Sequence, residues 1–269
     1  MKPIKLVISD IDGTLVTGTG IISPATRREI TRILAAGVHF GVASGRPTPR
    51  VRDVLEGLGV TIPIISSNGA IIEDLATGEI VHSRHLEHEL ARQALAIIAG
   101  YNIRCSFIDT ATGWWYWTGT RGLPNRLALL VAELEAPRID DLDQFFAGAP
   151  VVRKIVVGGD EPELARLEAA VVLLDGVFVT SSWQGNREIL VAGADKANAA
   201  KILAARLDID SEQVLAIGDH RNDLELITWA GIGVAMGNAE PELKAVADWI
   251  TASNEDDGVA LALQRFVPR

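Results

Sequence analysis

Residues 4–9, Ile-Lys-Leu-Val-Ile-Ser, form a short apolar run rich in β-branched side chains, the pattern of a buried strand. The run stops abruptly at Asp10-Ile11-Asp12-Gly13-Thr14-Leu15. Two carboxylates two residues apart cannot extend a buried strand, and Gly13 lets the chain turn sharply beside them. Ligands of open α/β sheets bind beyond the carboxyl ends of the strands, so a hard-oxygen site suited to Mg²⁺ is expected here. A calcium loop of the EF-hand kind fails, because its sixth position needs glycine and its twelfth glutamate, where this chain has Leu15 and Ile21. The competing reading is an acidic solvent turn, and residues elsewhere in the chain decide between the two.

The same rhythm recurs. Ser23-Pro24 opens a helix that stops at Gly37, and residues 38–43 form a strand that ends at Ser44-Gly45-Arg46. A helix over 47–58 leads to a strand over 62–66, which ends near Asn68-Gly69. Residues 15–23 read as a hairpin or flap. Late in the chain come a helix from Lys196, a strand over 214–218 ending at Asp219, and a strand over 232–235 between further helices. Strands alternating with helices at this spacing imply right-handed βαβ units and a parallel sheet. Residues 70–73 and 79–82 form a small hairpin. The middle block differs, with helices over 86–99, 124–134, 140–146 and 161–172 among strands over 103–109, 114–118, 151–157, 177–182 and 187–191. The expected fold class is therefore α/β, a parallel-sheet core over residues 1–82 and 186–269, interrupted by an α+β domain over 83–185.

Composition narrows the partners. The chain has 269 residues, 48% of them hydrophobic, which is ample for buried cores. Its formal net charge of −10 repels a phosphate backbone, so nucleic acid is a poor partner. A single cysteine, Cys105, cannot form an internal disulfide and reads as a buried, inert thiol. The first apolar run is cut short by Asp10, too soon for a secretory signal, and no uninterrupted apolar stretch reaches membrane-span length. A cytoplasmic protein acting without a membrane is expected. The sequence is silent on oligomeric state.

Three strand ends carry chemically loaded residues: Asp10 and Asp12, then Ser44-Gly45-Arg46, then Gly218-Asp219-His220-Arg221-Asn222-Asp223. Lys196 opens a helix of the same rhythm. In a parallel sheet these ends share one edge and converge. With these residues the chain resembles the haloacid dehalogenase superfamily, in its Cof-like (type IIB) branch with a large cap. Asp10-x-Asp12-Gly13-Thr14-Leu15 is similar to the family's first motif, Ser44-Gly45-Arg46 to its second, Lys196 to its third and Gly218-Asp219-x-x-Asn222-Asp223 to its fourth. Residues 152–157, Val-Arg-Lys-Ile-Val-Val, resemble a strand common in such caps.

The resemblance implies a Rossmann-like core, an inserted substrate-specificity cap and a Mg²⁺-dependent phosphatase of small phosphorylated metabolites, sugar phosphates above all. It implies Asp10 as nucleophile, Asp12 as general acid and then base, and Ser44 and Lys196 as further catalytic groups. It implies metal ligation by Asp10, Asp219 and Asp223 and by the backbone carbonyl of Asp12. Ser44, Gly45, Arg46, Asn68, Lys196 and Asn222 are the implied substrate-binding residues, with Thr14 supporting the site. A sugar phosphotransferase or mutase, and a non-enzymatic phospho-acceptor module, are the alternatives; the second has no use for a leaving-group acid such as Asp12. The fourth motif departs from the family where His220-Arg221 replaces a small residue, and His220 is expected to face solvent. Asp195 is expected to cap the Lys196 helix.

Other features carry less. His82, His85 and His88 lie three apart without another ligand type nearby, a solvated face rather than a zinc site. The glycines of residues 231–237 straddle a strand and miss the dinucleotide spacing, and Ser44 lacks a Gly-x-Ser-x-Gly elbow. Alternation puts Trp115 and Trp117 on one strand face, Trp114 and Tyr116 on the other. One pair is expected to pack on helices of its own domain. The other is free to stack on a flat substrate, with Trp115 and Trp117 as the candidates.

Overall fold

The computed structural model describes residues 2–103, 105–117 and 135–268. The helix expected within 124–134, the last residue of the strand expected over 114–118 and the side chain of Cys105 lie outside that part. The chain divides into two compact units, Met1–Ser83 with Asp195–Arg269, and Arg84–Ala194.

In the discontinuous unit, β1 (Leu6–Ser9) lies between β2 (His39–Val42) and β11 (Val214–Gly218), and all three run parallel. β12 (Ile232–Ala235) and β13 (Trp249–Ile250) extend the sheet beyond β11, giving the order β13-β12-β11-β1-β2. Leu6, Val7 and Ile8 are completely buried. Each such side chain contributes about 1.5–3 kcal/mol relative to exposure, which is why so short a run suffices as the central strand. Helices connect the strands: α1 (Pro24–Ala35), α2 (Thr48–Leu55), α6 (Lys196–Arg206), α7 (Leu224–Trp229), α8 (Pro241–Val246) and α9 (Gly258–Phe266). Ser23 caps α1, its hydroxyl accepting from the Thr26 amide at 3.1 Å with Pro24 in the first turn.

Two local expectations change and one strand is added. The strand over 62–66 appears as β3 (Ile64–Ser66), which pairs antiparallel with β4 (Ile71–Glu73), itself paired with β5 (Ile80–Ser83). The chain reverses straight after Ser66, so β3 pairs along its ladder with β4 and, among the described residues, meets the parallel sheet through an Ala43–Ile65 bridge. Residues 15–23 form no hairpin; Gly20 donates to the Thr17 carbonyl at 2.8 Å, and the Gly18 amide donates to Glu255 Oε1 at 2.6 Å. The two-residue β13 is too short to leave a period in the sequence.

The continuous unit holds α3 (His88–Ala99), β6 (Cys105–Thr110), β7 (Gly113–Trp117), α4 (Leu142–Ala147), β8 (Val152–Gly158), α5 (Glu161–Val171), β9 (Val177–Thr180) and β10 (Asn186–Val191). Its sheet is antiparallel, in the order β7-β6-β8-β10-β9. The expected boundary at residue 185 moves to Ala194, because β10 is an interior strand of this sheet: Ile189 faces Ile155 on one side and Val179 on the other. Arg84 Nη1 donates to the Ala192 carbonyl at 2.5 Å and ties the two ends of the unit together.

Trp115 and Trp117 are half-buried and pack against the apolar core of this unit, Trp115 meeting Phe145 edge-on at 5.4 Å. This is the pair that packs on its own unit, as one of the two was expected to do. Trp114 points the other way, toward Phe107 and the Lys154 ammonium, 5.5 Å from its ring. His85 and His88 are exposed, as expected of a solvated face, although His88 also uses its ring: its Nε2 lies 2.8 Å from the Phe146 carbonyl and the ring packs edge-on against Phe146.

Lys154 and Glu188 form a buried ion pair, 2.5 Å apart, with side-chain exposures of 3% and 0%. Ser182 Oγ and Asn186 Nδ2 also donate to Glu188. Removing one member of such a pair leaves the other charge buried, which typically costs about 3–5 kcal/mol. Lys154→Met should therefore lower unfolding stability by about that amount in denaturant titrations, and Lys154→Met combined with Glu188→Gln should recover most of the loss. A neutral single substitution would show that the pair does not hold the unit.

Candidate active site

Every group of the site is delivered by a strand end or helix start of the discontinuous unit. The Asp10 amide donates to the Ile217 carbonyl at 2.9 Å, so β1 stays in register with β11 up to the first carboxylate. There the chain turns through Ile11–Leu15, with Gly13 at φ 73°. A Cβ on Gly13 would lie 2.3 Å from Asp219 Oδ2, so both conformation and close approach demand glycine. Thr14 Oγ1 donates to Asp219 Oδ1 at 2.8 Å, joining the first motif to the fourth. Asn238 Nδ2 donates to the Gly13 carbonyl at 2.8 Å. Sequence reasoning missed Asn238, although it follows β12 at the same sheet edge as the other loaded residues.

Lys196 opens α6, which Asp195 caps as expected by accepting from the Asn198 amide at 2.8 Å. The lysine is 1% exposed, and its Nζ donates to Asp10 Oδ1 and to Asp223 Oδ1, both at 2.6 Å. Burial alone would push this ammonium's pKa down; the Asp10 and Asp223 carboxylates outweigh it and hold the pKa above its ordinary value.

Carboxylate oxygens of Asp10, Asp219 and Asp223 all lie within 4.8 Å of one another. Burial raises the Asp10 pKa well above the usual carboxylate range; Lys196 pulls it back, and the charges of Asp223 and Asp219 add to the rise. Asp219 is pushed up to about 7, first by burial and then by Asp223, against the Thr14 hydrogen bond and Lys196. Three crowded acids, two of them carrying raised pKa values, are a donor set that a hard divalent cation fits. Both Asp223 oxygens are already engaged, Oδ1 by Lys196 and Oδ2 by the amides of Asp219 and His220 at 3.0 and 3.2 Å. Among the described residues, Asp10 Oδ2 and Asp219 Oδ2 accept no hydrogen bond. Those two oxygens are the ones open to a cation.

Ser44 is completely buried; its Oγ accepts from the Arg46 amide at 3.1 Å, which leaves its own proton to give. Arg46 grips Asp12, with Nε on Oδ2 at 2.8 Å and Nη2 on Oδ1 at 2.7 Å. Asn222 Nδ2 donates to Asn68 Oδ1 at 3.0 Å, and both residues are buried. The structure thus brings all the implied site residues to one edge, but Arg46, Asn68 and Asn222 bond first to protein groups. His220 does not face solvent: its Nε2 lies 3.0 Å from Glu240 Oε1.

A parallel α/β sheet with four motif-bearing segments at one edge and an inserted antiparallel unit defines a class, and the chain belongs to it: residues 7–263 match the haloacid dehalogenase-like hydrolase family. Among its relatives are YkrA of Bacillus subtilis, 31% identical over 274 residues and covering 97% of each chain. The 5-amino-6-(5-phospho-D-ribitylamino)uracil phosphatase YwtE of the same organism is 29% identical over 284 residues, covering 98% of each. The solved structure of a haloacid dehalogenase-like hydrolase from B. subtilis superposes with a TM-score of 0.84 at 25% identity, over 97% of this chain and 99% of that one.

A proton on Asp219 competes with a cation for the same oxygen, and with a pKa near 7 that competition falls away only as pH rises above it. The rise in melting temperature caused by Mg²⁺, relative to protein in EDTA, should therefore be larger above about pH 7 than below it. A stabilisation independent of pH would mean that Asp219 does not bind the ion.

Proposed function

We propose that this haloacid dehalogenase-type phosphatase is Mg²⁺-dependent and hydrolyses small phosphomonoesters, phosphorylated sugars and polyols in particular, through an aspartyl-phosphate on Asp10. The observation that carries the reading is the buried Lys196 ammonium bridging Asp10 and Asp223. It fixes the Asp10 carboxylate in one orientation and puts positive charge where phosphoryl charge would accumulate.

Asp10 and Asp219 would hold the metal through their open oxygens, together with the Asp12 backbone carbonyl, while Asp223 orients the loop around it. The ion supplies charge neutralisation, so that a carboxylate can approach a phosphate dianion. An Asp10 oxygen attacks phosphorus as the ester P–O bond breaks, and Asp12 gives its proton to the leaving alkoxide. Asp12 then takes a proton from water. The water oxygen bonds to phosphorus, the Asp10–phosphorus bond breaks, and inorganic phosphate leaves. Ser44 and the amides beside it hold the non-bridging oxygens. Arg46 keeps Asp12 within the site between the two half-reactions.

These groups address only phosphate and the bridging oxygen, so they do not distinguish one leaving group from another. Substrate choice is assigned to the inserted unit Arg84–Ala194, the one large element outside the motif-bearing fold. Relatives such as the ribitylamino-uracil phosphatase are named for a small phosphorylated metabolite, which supports that substrate class.

Phosphate release from an aryl phosphate tests the proposal directly. The parent should turn over with Mg²⁺ and stop with EDTA, and Asp10→Asn should lower kcat by about 10³-fold or more while keeping the parent's far-ultraviolet spectrum. A chain that is phosphorylated once without turnover would be an acceptor module. Undiminished activity in Asp10→Asn would end the mechanism.

A further inference from the structure

We infer that Asn68 is a positioning residue for the phosphate-binding loop and for Asn222, and that the turn Ser67–Gly69 sets the register of three catalytic segments at once. The inference rests on the phosphatase reading above and assigns these residues a part in it that differs from direct substrate contact.

Ser67, Asn68 and Gly69 have φ of 47°, 56° and 92°, three consecutive residues in left-handed backbone. For two non-glycine residues in succession this is costly, although asparagine tolerates it better than most. Ser67 and Asn68 are 1% exposed, so the conformation is no accident of a loose surface loop. Such backbone persists only where the surroundings over-determine it, and it clusters at functional sites.

The surroundings here are the catalytic loops themselves. The Ser67 amide donates to the Arg46 carbonyl and the Asn68 amide to the Ser44 carbonyl, each at 2.9 Å, so the turn grips both ends of Ser44-Gly45-Arg46. The Asn68 side-chain oxygen lies against Gly45, where a Cβ would come within 3.1 Å of it, and accepts from Asn222 Nδ2 at 3.0 Å. A Cβ on Gly69 would lie 2.1 Å from the carbonyl of Asp195, the residue that caps the Lys196 helix. One buried turn therefore touches the second motif, the start of the third and the fourth. An extended backbone at these positions would carry the two amides away from Ser44 and Arg46. The left-handed path is the geometric condition for holding that loop.

A direct ligand and a positioning residue differ in how their loss combines with the loss of Asn222. Asn68→Gly keeps the left-handed backbone free of strain while removing the side-chain link, so it should fold as the parent does, melting somewhat lower for the lost buried contact. In full-length protein with Mg²⁺ and p-nitrophenyl phosphate, assayed well below melting, Asn68→Gly and Asn222→Ala should each lower kcat/KM by about 10- to 100-fold. The double variant should fall no further than the weaker single one, within about threefold. Losses that multiply in the double variant would make the two residues independent substrate contacts and overturn the inference, as would parental kcat/KM in Asn68→Gly. Calorimetric affinity for inorganic phosphate, with Mg²⁺ present, reads the same cycle without turnover. A parent that binds phosphate without hydrolysing the ester would overturn the phosphatase reading and leave the coupling between residues 68 and 222 to be judged by its own measurement.

Discussion

One ammonium holds the acidic centre together. Three carboxylates with oxygens inside 4.8 Å cannot all ionise in a buried setting unless positive charge is supplied, and Lys196 supplies it from within the protein to two of them. Its position in turn depends on the Asp195 cap, which fixes where α6 begins. Asp223 passes the constraint on, since its second oxygen accepts from the amides of Asp219 and His220 and so folds the 218–223 loop back upon itself. Gly218 is needed for that fold, because a Cβ there would stand 2.5 Å from Asp223 Cγ. The helix start, the loop and the first strand end are thus one electrostatic assembly, and the sheet brings its parts into reach.

Each unit buries a lysine against carboxylates, with a different outcome for the oxygens. In the discontinuous unit, carboxylates gather at the sheet edge, where Asp10 Oδ2 and Asp219 Oδ2 accept no hydrogen bond among the described residues. In the Arg84–Ala194 unit the buried pair Lys154–Glu188 is closed by Ser182 and Asn186. An open set of oxygens is reactive toward cations and phosphate, whereas a closed set is inert and specifies packing.

Much of this was legible in the sequence, and the physical reason is local. A carboxylate or a Ser-Gly-Arg run at the end of an apolar stretch is anomalous where it stands, so Asp10, Ser44 and Asp219 announce themselves, and parallel topology gathers them. What stayed hidden was pairing. Nothing near Arg46 in the chain says that its guanidinium closes on Asp12, and nothing near Asn68 points to Asn222, 154 residues away. Residue type also failed to fix the faces of the tryptophan strand: alternation gave the two pairs, but only packing against Phe145 decided which pair was core. The boundary at residue 185 failed for a related reason, since β10 reads as a strand in any sheet and only its partners β8 and β9 assign it.

The sheet order has a consequence for how the chain is made. β1 and β2 emerge from the ribosome early, but β11, the neighbour of β1 on its other side, begins at Val214, after the whole of the Arg84–Ala194 unit has been synthesised. That unit is continuous and carries its own apolar core, so it can complete its fold while the nascent chain is still growing. The amino-terminal third meanwhile holds a largely apolar strand with one edge unpaired, an exposed template for association with other chains. Vulnerability during synthesis therefore falls on the very strand that ends at Asp10.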